Sequence, residues 1–562
     1  MNREEESKVE GRRSKASDSD PSTFDSRPST SFWPWLAAAS SGALLTLCFA
    51  PWNITPLVWI ALAPLLCAIW FSRESGRRPG LRAGLLGYVA GLVFFTSVFY
   101  WLGALAPLFD EPWLYALPFL LALIFGFYFA FWAWFLARIL APDPEQRMFR
   151  NSWSNLATGA LAATAWITHE WVRGWLFSGF GWNNLGVALH ADLPMIQIAD
   201  LTGVAGLSWL VAFVNVMIVI IVRRILGELG PQFVKRIRWE FSISVALVVC
   251  VFTYGVRSLL AKAPESIPLR VTAVQPNVPQ TLKFSADGED EIFEQVGKLT
   301  QLAIAANSPD LLLWPESATP RGMYADDLNY RFVMDHAKEV SGGFLLGTVE
   351  DDPEHGVSYN AAKLLTDRGE TEQTYHKMHL VPYGEYLPMR PLLGPIVGEL
   401  VPGDFAHGKE PVVFTLPSPA VKFGALICFE DTLGDLTRRF VQKGAQLLVN
   451  ITNDGWFLHT AGAEQHLANA VFRAVENRRP LVRCANTGVT CSIDSHGRVD
   501  RTGRNGIWIE PFTRGFVARE IAVPKNPALT FYTRHGEWLA HLAAVITVFA
   551  TIRALKRPGA KM

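Results

Sequence analysis

Hydrophobic and polar positions divide this chain into two kinds of territory. Through the first 265 residues, and again over the last 25 or so, long uncharged apolar runs recur. Their length, about 20 residues, is what the hydrocarbon core of a bilayer demands of a helix. They predict spans near 32–50, 55–72, 83–106, 113–137, 155–176, 199–222, 240–261 and 538–555. The fifth is the least regular, because His169, Glu170 and Arg173 fall at its end. Residues 268–530 instead alternate short apolar runs with amphipathic stretches. Strands are predicted at 269–276, 310–316, 343–350, 359–366, 412–417, 422–429, 445–452 and 481–488, and helices at 289–306, 326–340, 432–443 and 461–478. Strands alternating with helices imply a layered α/β domain. The expected architecture is a polytopic helical bundle (32–262), an α/β domain (268–530) and a last spanning helix (538–555).

Residues 1–31 are charged, Ser/Pro-rich and nearly devoid of large apolar side chains, and are expected to be a disordered tail. A cleaved signal peptide is not expected, since the first apolar run leads straight into further spans. Basic residues orient the bundle. Arg73, Arg77, Arg78 and Arg82 follow the second span, Arg138, Arg147 and Arg150 the fourth, and Arg223, Arg224, Lys235, Arg236 and Arg238 the sixth. Arg553, Lys556, Arg557 and Lys561 follow the last span, whereas 51–54 and 107–112 hold no Lys or Arg. Positive charge marks the cytoplasmic side, so both tails, 1–31 and 556–562, are expected there. The seventh span then delivers 268–530 to the outer face, the periplasmic face of a bacterial inner membrane. Hydrophobic residues make up 50% of the 562-residue chain and mean hydropathy is +0.19, in keeping with a membrane protein carrying one water-facing domain. Formal charge is zero, so no global field points to nucleic acid.

Chemistry enters where strands end. The run VKFGALI stops at Cys428, with Glu430 and Asp431 behind it; LLLW ends in Pro315-Glu316; YHKMHLVPYGEYL carries Lys377 and Glu385. A lone cysteine is often a small core residue. Acid, amine and thiol in this order, each beside a strand, also make a nucleophilic centre. In it Lys377 supplies positive charge to the thiol, Glu316 is the general base, and the Lys377 ammonium with the Phe429 N–H stabilises an oxyanion.

LLLWPES around Glu316, YHKMHLVPYGEYLP with Lys377 and Glu385, and ALICFED with Cys428 and Glu430 resemble the Glu-Lys-Cys nitrilase superfamily. More narrowly, the chain is similar to the membrane-bound apolipoprotein N-acyltransferase family. CFAPWNITPLVWIALAPLL (48–66), EWVRGWLFSGFGWNNLG (170–186), QPNVPQTLKF (275–284) and YTRHGEWL (532–539) extend the likeness beyond the three motifs, over nearly everything after residue 31. The resemblance implies an αββα nitrilase-like domain and a ping-pong reaction. Cys428 takes the sn-1 acyl chain of a phospholipid, phosphatidylethanolamine being the expected donor. The α-amine of a diacylglyceryl-cysteine on an apolipoprotein then collects it. It also implies that Glu385 and Glu430 orient the lysine and the substrate. Two positions depart from the family pattern, Phe284 for Trp and Phe429 for Tyr, each losing a polar hydrogen. No cofactor is expected. The rival readings are a membrane-tethered amide hydrolase and a non-catalytic lipoprotein-binding scaffold.

Other residues carry weaker signals. His376 and His379 are spaced HxxH but have no third ligand at a telling distance, so no metal is expected. His459 and His466 read as ordinary surface or helix residues. Cys484 and Cys491 read as buried free thiols or a disulfide in an oxidising compartment. Glu170 and Arg173 read as an intramembrane pair, a headgroup contact or an interfacial anchor. Trp101, Trp113, Trp171, Trp175 and Trp182 read mostly as an interface belt. The Pro/Gly-rich loop 389–410 reads as a lid.

Overall fold

The computed structural model describes residues 32–72, 79–140, 151–228, 238–283, 288–398, 403–503 and 509–556. The 1–31 tail, Phe284 and many of the basic loop residues lie outside them. Helices stand in each of the eight stretches predicted to span. Among the described residues five helices are long and apolar enough to cross a bilayer: Gly80–Val98, Pro112–Arg138, Ala199–Leu226, Trp239–Leu259 and Trp538–Leu555. The other three differ for physical reasons. Trp33–Leu47 has only 15 residues. The 55–72 stretch breaks into Thr55–Trp59 and Ala63–Phe71, each opening on a proline that cannot continue the preceding turn. Ser152–Arg173 carries too many Ser, Thr and Asn side chains to qualify. The third predicted span stops at Val98 rather than 106, and the chain turns through Tyr100–Ala104 and Leu105–Phe109.

Among the described residues twelve strands form the other domain: β1 (Ser266–Gln275), β2 (Leu311–Leu313), β3 (Gly343–Asp352), β4 (Val357–Thr366), β5 (Thr371–His376), β6 (Val413–Leu416), β7 (Val421–Ile427), β8 (Leu447–Thr452), β9 (Leu481–Ala485), β10 (Cys491–Ile493), β11 (Val499–Asp500) and β12 (Gly515–Pro524). They make two six-stranded sheets, ordered β12-β1-β2-β3-β4-β5 and β11-β10-β9-β8-β7-β6. The centre of each is parallel (β1-β2-β3 and β7-β8-β9) and the edges are antiparallel. Alternation decides the layers. Leu311 and Leu313 point into the core shared with the second sheet, whereas Leu312 and Trp314 pack with Ile292, Val296 and Val333 of helices Glu289–Asn307 and Asp327–Glu339. On the far side, helices Gly434–Gln442 and Gly462–Asn477 cover the second sheet. The result is a helix–sheet–sheet–helix sandwich. Cys484 on β9 bonds across the sandwich to the Val274 and Leu313 carbonyls, and it and Cys491 are buried free thiols.

Bundle and sandwich share one continuous apolar core. Polar side chains lock the junction. Gln465 accepts from the indoles of Trp101 (3.1 Å) and Trp182 (2.9 Å) and donates to the Ala50 and Val98 carbonyls (2.9 and 3.2 Å). Trp101 and Trp182 are therefore buried anchors rather than belt residues, while Trp113 and Trp175 are exposed. Gly203 breaks its helix at φ +64 with the Tyr532 ring against its Cα, and Glu476 accepts from the Val204 N–H (3.3 Å) there. Glu170 and Arg173 are buried inside protein, not anchored at an interface. Glu170 accepts from Trp166 Nε1 and the Leu185 N–H, and Arg173 donates to the Trp182 carbonyl and Asn184. Both charges thus hold the loop that carries Trp182.

Candidate active site

Three strand ends deliver the candidate residues to one place. β2 runs out at Leu313, and Trp314, Pro315 and Glu316 continue hydrogen-bonded beside β3. A Cβ on Gly347 would lie 2.6 Å from the Glu316 Cα, so only glycine lets the two chains approach. β5 ends at His376 and hands over Lys377, whose N–H donates to the Asn360 carbonyl (2.8 Å) on β4. β7 ends at Ile427, and Cys428 sits at φ +52, a left-handed conformation that costs free energy in a non-glycine residue. That turn presents the partly exposed thiol at the head of the strand.

Lys377 is buried between two carboxylates, Glu385 at 2.8 Å and Glu316 at 3.4 Å. Asn360 donates to both, at 2.7 and 2.8 Å, and ties them together. The second oxygen of Glu385 accepts from the Val381 N–H (2.8 Å). Burial works against the Lys377 ammonium, but Glu385 and Glu316 outweigh it and hold its pKa above the ordinary lysine value. For Cys428 burial and then the Glu316 charge push the thiol up, outweighing the pull of Lys377 and a Thr452 hydrogen bond. The resting sulfur is therefore a protonated thiol, not a standing thiolate.

Glu430 does not face the pocket. Its Oε1 accepts from the Tyr375 hydroxyl (2.8 Å) and the Met378 and His379 N–H groups (2.7 and 3.1 Å), and its Oε2 from the Ile427 N–H (2.8 Å). It clamps the segment after Lys377 to the segment before Cys428. Burial pushes its pKa up to about 7. Phe429 lies flat between rings from two domains, against Phe180 and Trp182 of the bundle (5.8 and 5.9 Å) and His379 (5.8 Å).

Several residues at the site carried no signal in the sequence. Asn360 sat inside a predicted strand, and its role depends on two carboxylates that are distant along the chain. Lys283, in the QTLKF stretch, is buried and donates to the Glu316 carbonyl oxygen (2.9 Å). His466 is not a surface residue: it is buried between Asp431 and Asp454 (2.8 Å each), which also hold the buried Arg483. Asn450 links this network to the Cys428 turn by donating to the Cys428 carbonyl (3.0 Å). His376 pairs with Glu350 (2.6 Å) and stacks on Tyr359, and His459 packs at a tilt against Phe512. Among the described residues no group of His, Cys, Asp and Glu is arranged to hold a metal ion. The 389–410 loop contains a helix, Arg390–Val397, and 399–402 fall outside the described residues.

A two-sheet sandwich with a thiol at a strand head, welded to a bundle of apolar helices, defines a multi-pass membrane protein of the nitrilase class. A family model described as apolipoprotein N-acyltransferase N-terminal domain matches residues 41–217, and one described as carbon-nitrogen hydrolase matches 270–505. An apolipoprotein N-acyltransferase of Geobacter metallireducens is 35% identical over 539 residues, 94% of this chain and 96% of its own length. One of Bradyrhizobium diazoefficiens is 30% identical over 571 residues, with the same shares covered. A solved amidase of the nitrilase superfamily from Nesterenkonia aligns with 50% of this chain and 98% of its own at 16% identity and TM-score 0.36. The chain belongs to the apolipoprotein N-acyltransferase family.

Proposed function

We propose that this protein moves a fatty acyl chain from a phospholipid to the N-terminal α-amine of a diacylglyceryl apolipoprotein, through a thioester on Cys428. The observation that carries this is the meeting of Glu316, Lys377 and Glu385 in one buried cluster within electrostatic reach of Cys428. Glu316 takes the thiol proton as sulfur bonds to the ester carbonyl carbon. The oxyanion formed is stabilised by the Lys377 ammonium and the Phe429 N–H. Collapse breaks the carbon–oxygen bond, and Glu316 gives its proton to the departing glycerol oxygen. In the second half the α-amine attacks the thioester, the carbon–sulfur bond breaks, and Glu316 returns the amine's proton to sulfur. Glu385 fixes Lys377, and Glu430 fixes the turns on either side. Phe284, where the family pattern has Trp, is proposed as a substrate-supporting residue on its sequence position alone.

Orientation follows from which helix ends meet the sandwich. Val98, Asp200 and Trp538 lie at the sandwich end, where Asp200 pairs with Arg478. Arg82, Arg138, Arg223 and Arg553 lie at the opposite ends of the same bundle. That distribution of charge supports a positive-inside orientation with the sandwich on the periplasmic face of the inner membrane, level with lipid-anchored substrates.

Intact-protein mass spectrometry after incubation with phosphatidylethanolamine vesicles tests the reading. One acyl adduct, absent in Cys428→Ser and discharged by a diacylglyceryl peptide rather than by water, is expected. An adduct that water alone discharges would return the amide-hydrolase reading.

A further inference from the structure

The catalytic cluster as described is unbalanced: Glu316 and Glu385 carry two negative charges against one positive charge on Lys377, and the reaction moves one of those negative charges onto sulfur and then onto the carbonyl oxygen. A second buried cation stands beside it. Lys283 ends the short helix Gln280–Lys283, and the segment leading to it is pinned from the opposite sheet. Asn486 bonds the Asn277 N–H through its backbone (2.7 Å) and both polar groups of Val278 through its side chain (3.2 and 3.0 Å). Asn453 donates to Gln280 (2.8 Å). Held this way, Lys283 is 8% exposed and donates to the peptide oxygen of Glu316. Among the described residues it has no carboxylate within ion-pair distance, so its charge is not cancelled locally and acts on its surroundings. Those surroundings are Glu316 and Cys428.

We propose that Lys283 is the charge-setting residue of this site, its ammonium offsetting the second carboxylate of the Glu316–Lys377–Glu385 cluster. The negative charge arriving on sulfur, and then on the carbonyl oxygen, thus forms in a neutral rather than an anionic cavity. Lys283 touches the Glu316 peptide, not the reacting atoms, so it is a positioning residue acting through Glu316 and the field at Cys428. The other charged groups around the thiol leave this balance intact. Asp454 is offset by Arg483 and His466, Glu430 is turned away into its clamp, and burial with Lys377 holds His379 neutral, near pKa 4. Burial lowers Lys283 itself to about 8 against the pull of Glu316 and Cys428, so it is charged at neutral pH and sheds that charge in mildly alkaline solution.

The inference rests on Cys428 being the nucleophile, but its test needs no lipid. Full-length protein in detergent is alkylated with iodoacetamide across pH, and modification of Cys428 is read by peptide mass spectrometry. Lys283→Gln keeps a donor for the Glu316 carbonyl and removes the charge; Lys283→Met keeps the stem's volume and removes both; Lys283→Arg restores the charge. At pH 7, where the parent Lys283 is charged, modification of Cys428 in Gln and Met is expected to be roughly tenfold slower, with Arg recovering most of the rate, while above pH 8, where Lys283 has shed its proton, the parent is expected to converge on the neutral variants. Melting curves identify the folded variants. A folded neutral variant alkylated at the parental rate at pH 7 overturns the proposal. A Gln variant that behaves as parent beside a slowed Met variant also overturns it, leaving only a hydrogen bond. Unfolding of both neutral variants would make Lys283 structural and count equally against it. Failure of the acyl adduct to form, with these pH 7 rates as expected, would refute the acyl-transfer reading alone.

Discussion

Truncating Glu430 to alanine isolates what holds the catalytic turns together. Its carboxylate collects four donors from three places: the Tyr375 hydroxyl, the Met378 and His379 N–H groups beyond Lys377, and the Ile427 N–H before Cys428. Residue 430 is fully buried, so water does not replace it without entering the core. Each buried donor left without a partner costs about 1–3 kcal/mol. Against this the variant no longer buries an ionisable carboxyl, whose cost is visible in its pKa of about 7. A net loss of roughly 3–5 kcal/mol is expected, a large share of the ~5–15 kcal/mol that stabilises a typical domain. Glu430→Gln keeps one acceptor for the Tyr375 side and turns an amide N–H toward the Ile427 N–H, so its loss is expected nearer 1–2 kcal/mol. Thermal unfolding in detergent ranks the two, and the rate of acyl-adduct formation on Cys428 reports the turn. Displacement of the sulfur by about 1 Å would cost on the order of 10² in rate. An alanine variant that melts with the parent and acylates at the parental rate refutes the clamp.

Three further outcomes follow from the same geometry. Glu316→Gln removes the acceptor of the thiol proton, which burial keeps on sulfur at rest, and is expected to slow adduct formation by about 10²–10⁴ in a time course by intact mass. Gln465→Ala orphans two buried indole N–H groups and the Ala50 and Val98 carbonyls, and is expected to lower thermal stability by about 2–4 kcal/mol with reduced adduct formation. Glu430 and Glu476 are pushed up from 4.5 to about 7 by burial, so between those pH values the folded protein binds more protons than the unfolded chain. Stability is thus expected to be greatest near pH 4.5 on their account and to fall by about 3 kcal/mol per group as pH rises through 7, and Glu430→Gln should flatten part of that slope in melting temperature against pH.

What the sequence revealed depends on how far apart the interacting residues lie. Leu311–Leu313 and Val421–Ile427 are continuous apolar runs because parallel central strands are buried on both faces, so they and the residues ending them, Glu316 and Cys428, were legible. The edge strands β5, β11 and β12 were not, although β6 was. β5 reads TEQTYH with its Glu and Gln toward solvent, and β12 interrupts its alternation with Arg519 and Glu520. The span limits failed for a related reason. Hydropathy continues past Val98, but Tyr100 and Trp101 are drawn to Ala461 and Gln465 of the other domain. Lys283, Asn360, Gln465 and His466 have ordinary local contexts, and each acquires its role only from partners brought together by folding.

The depth of the junction shows that the sandwich is not merely tethered to the membrane part. Phe429 follows the nucleophile directly, and two of the three rings flanking it, Phe180 and Trp182, belong to the bundle. Trp182 also lies against His466, the histidine between Asp431 and Asp454, and is fixed in turn by Gln465 and by Arg173 at its carbonyl. A strained turn persists only when its surroundings over-determine it, and here those surroundings come from both domains. The membrane part is thus one wall of the turn that carries Cys428, and an aromatic surface drawn from both domains flanks that turn.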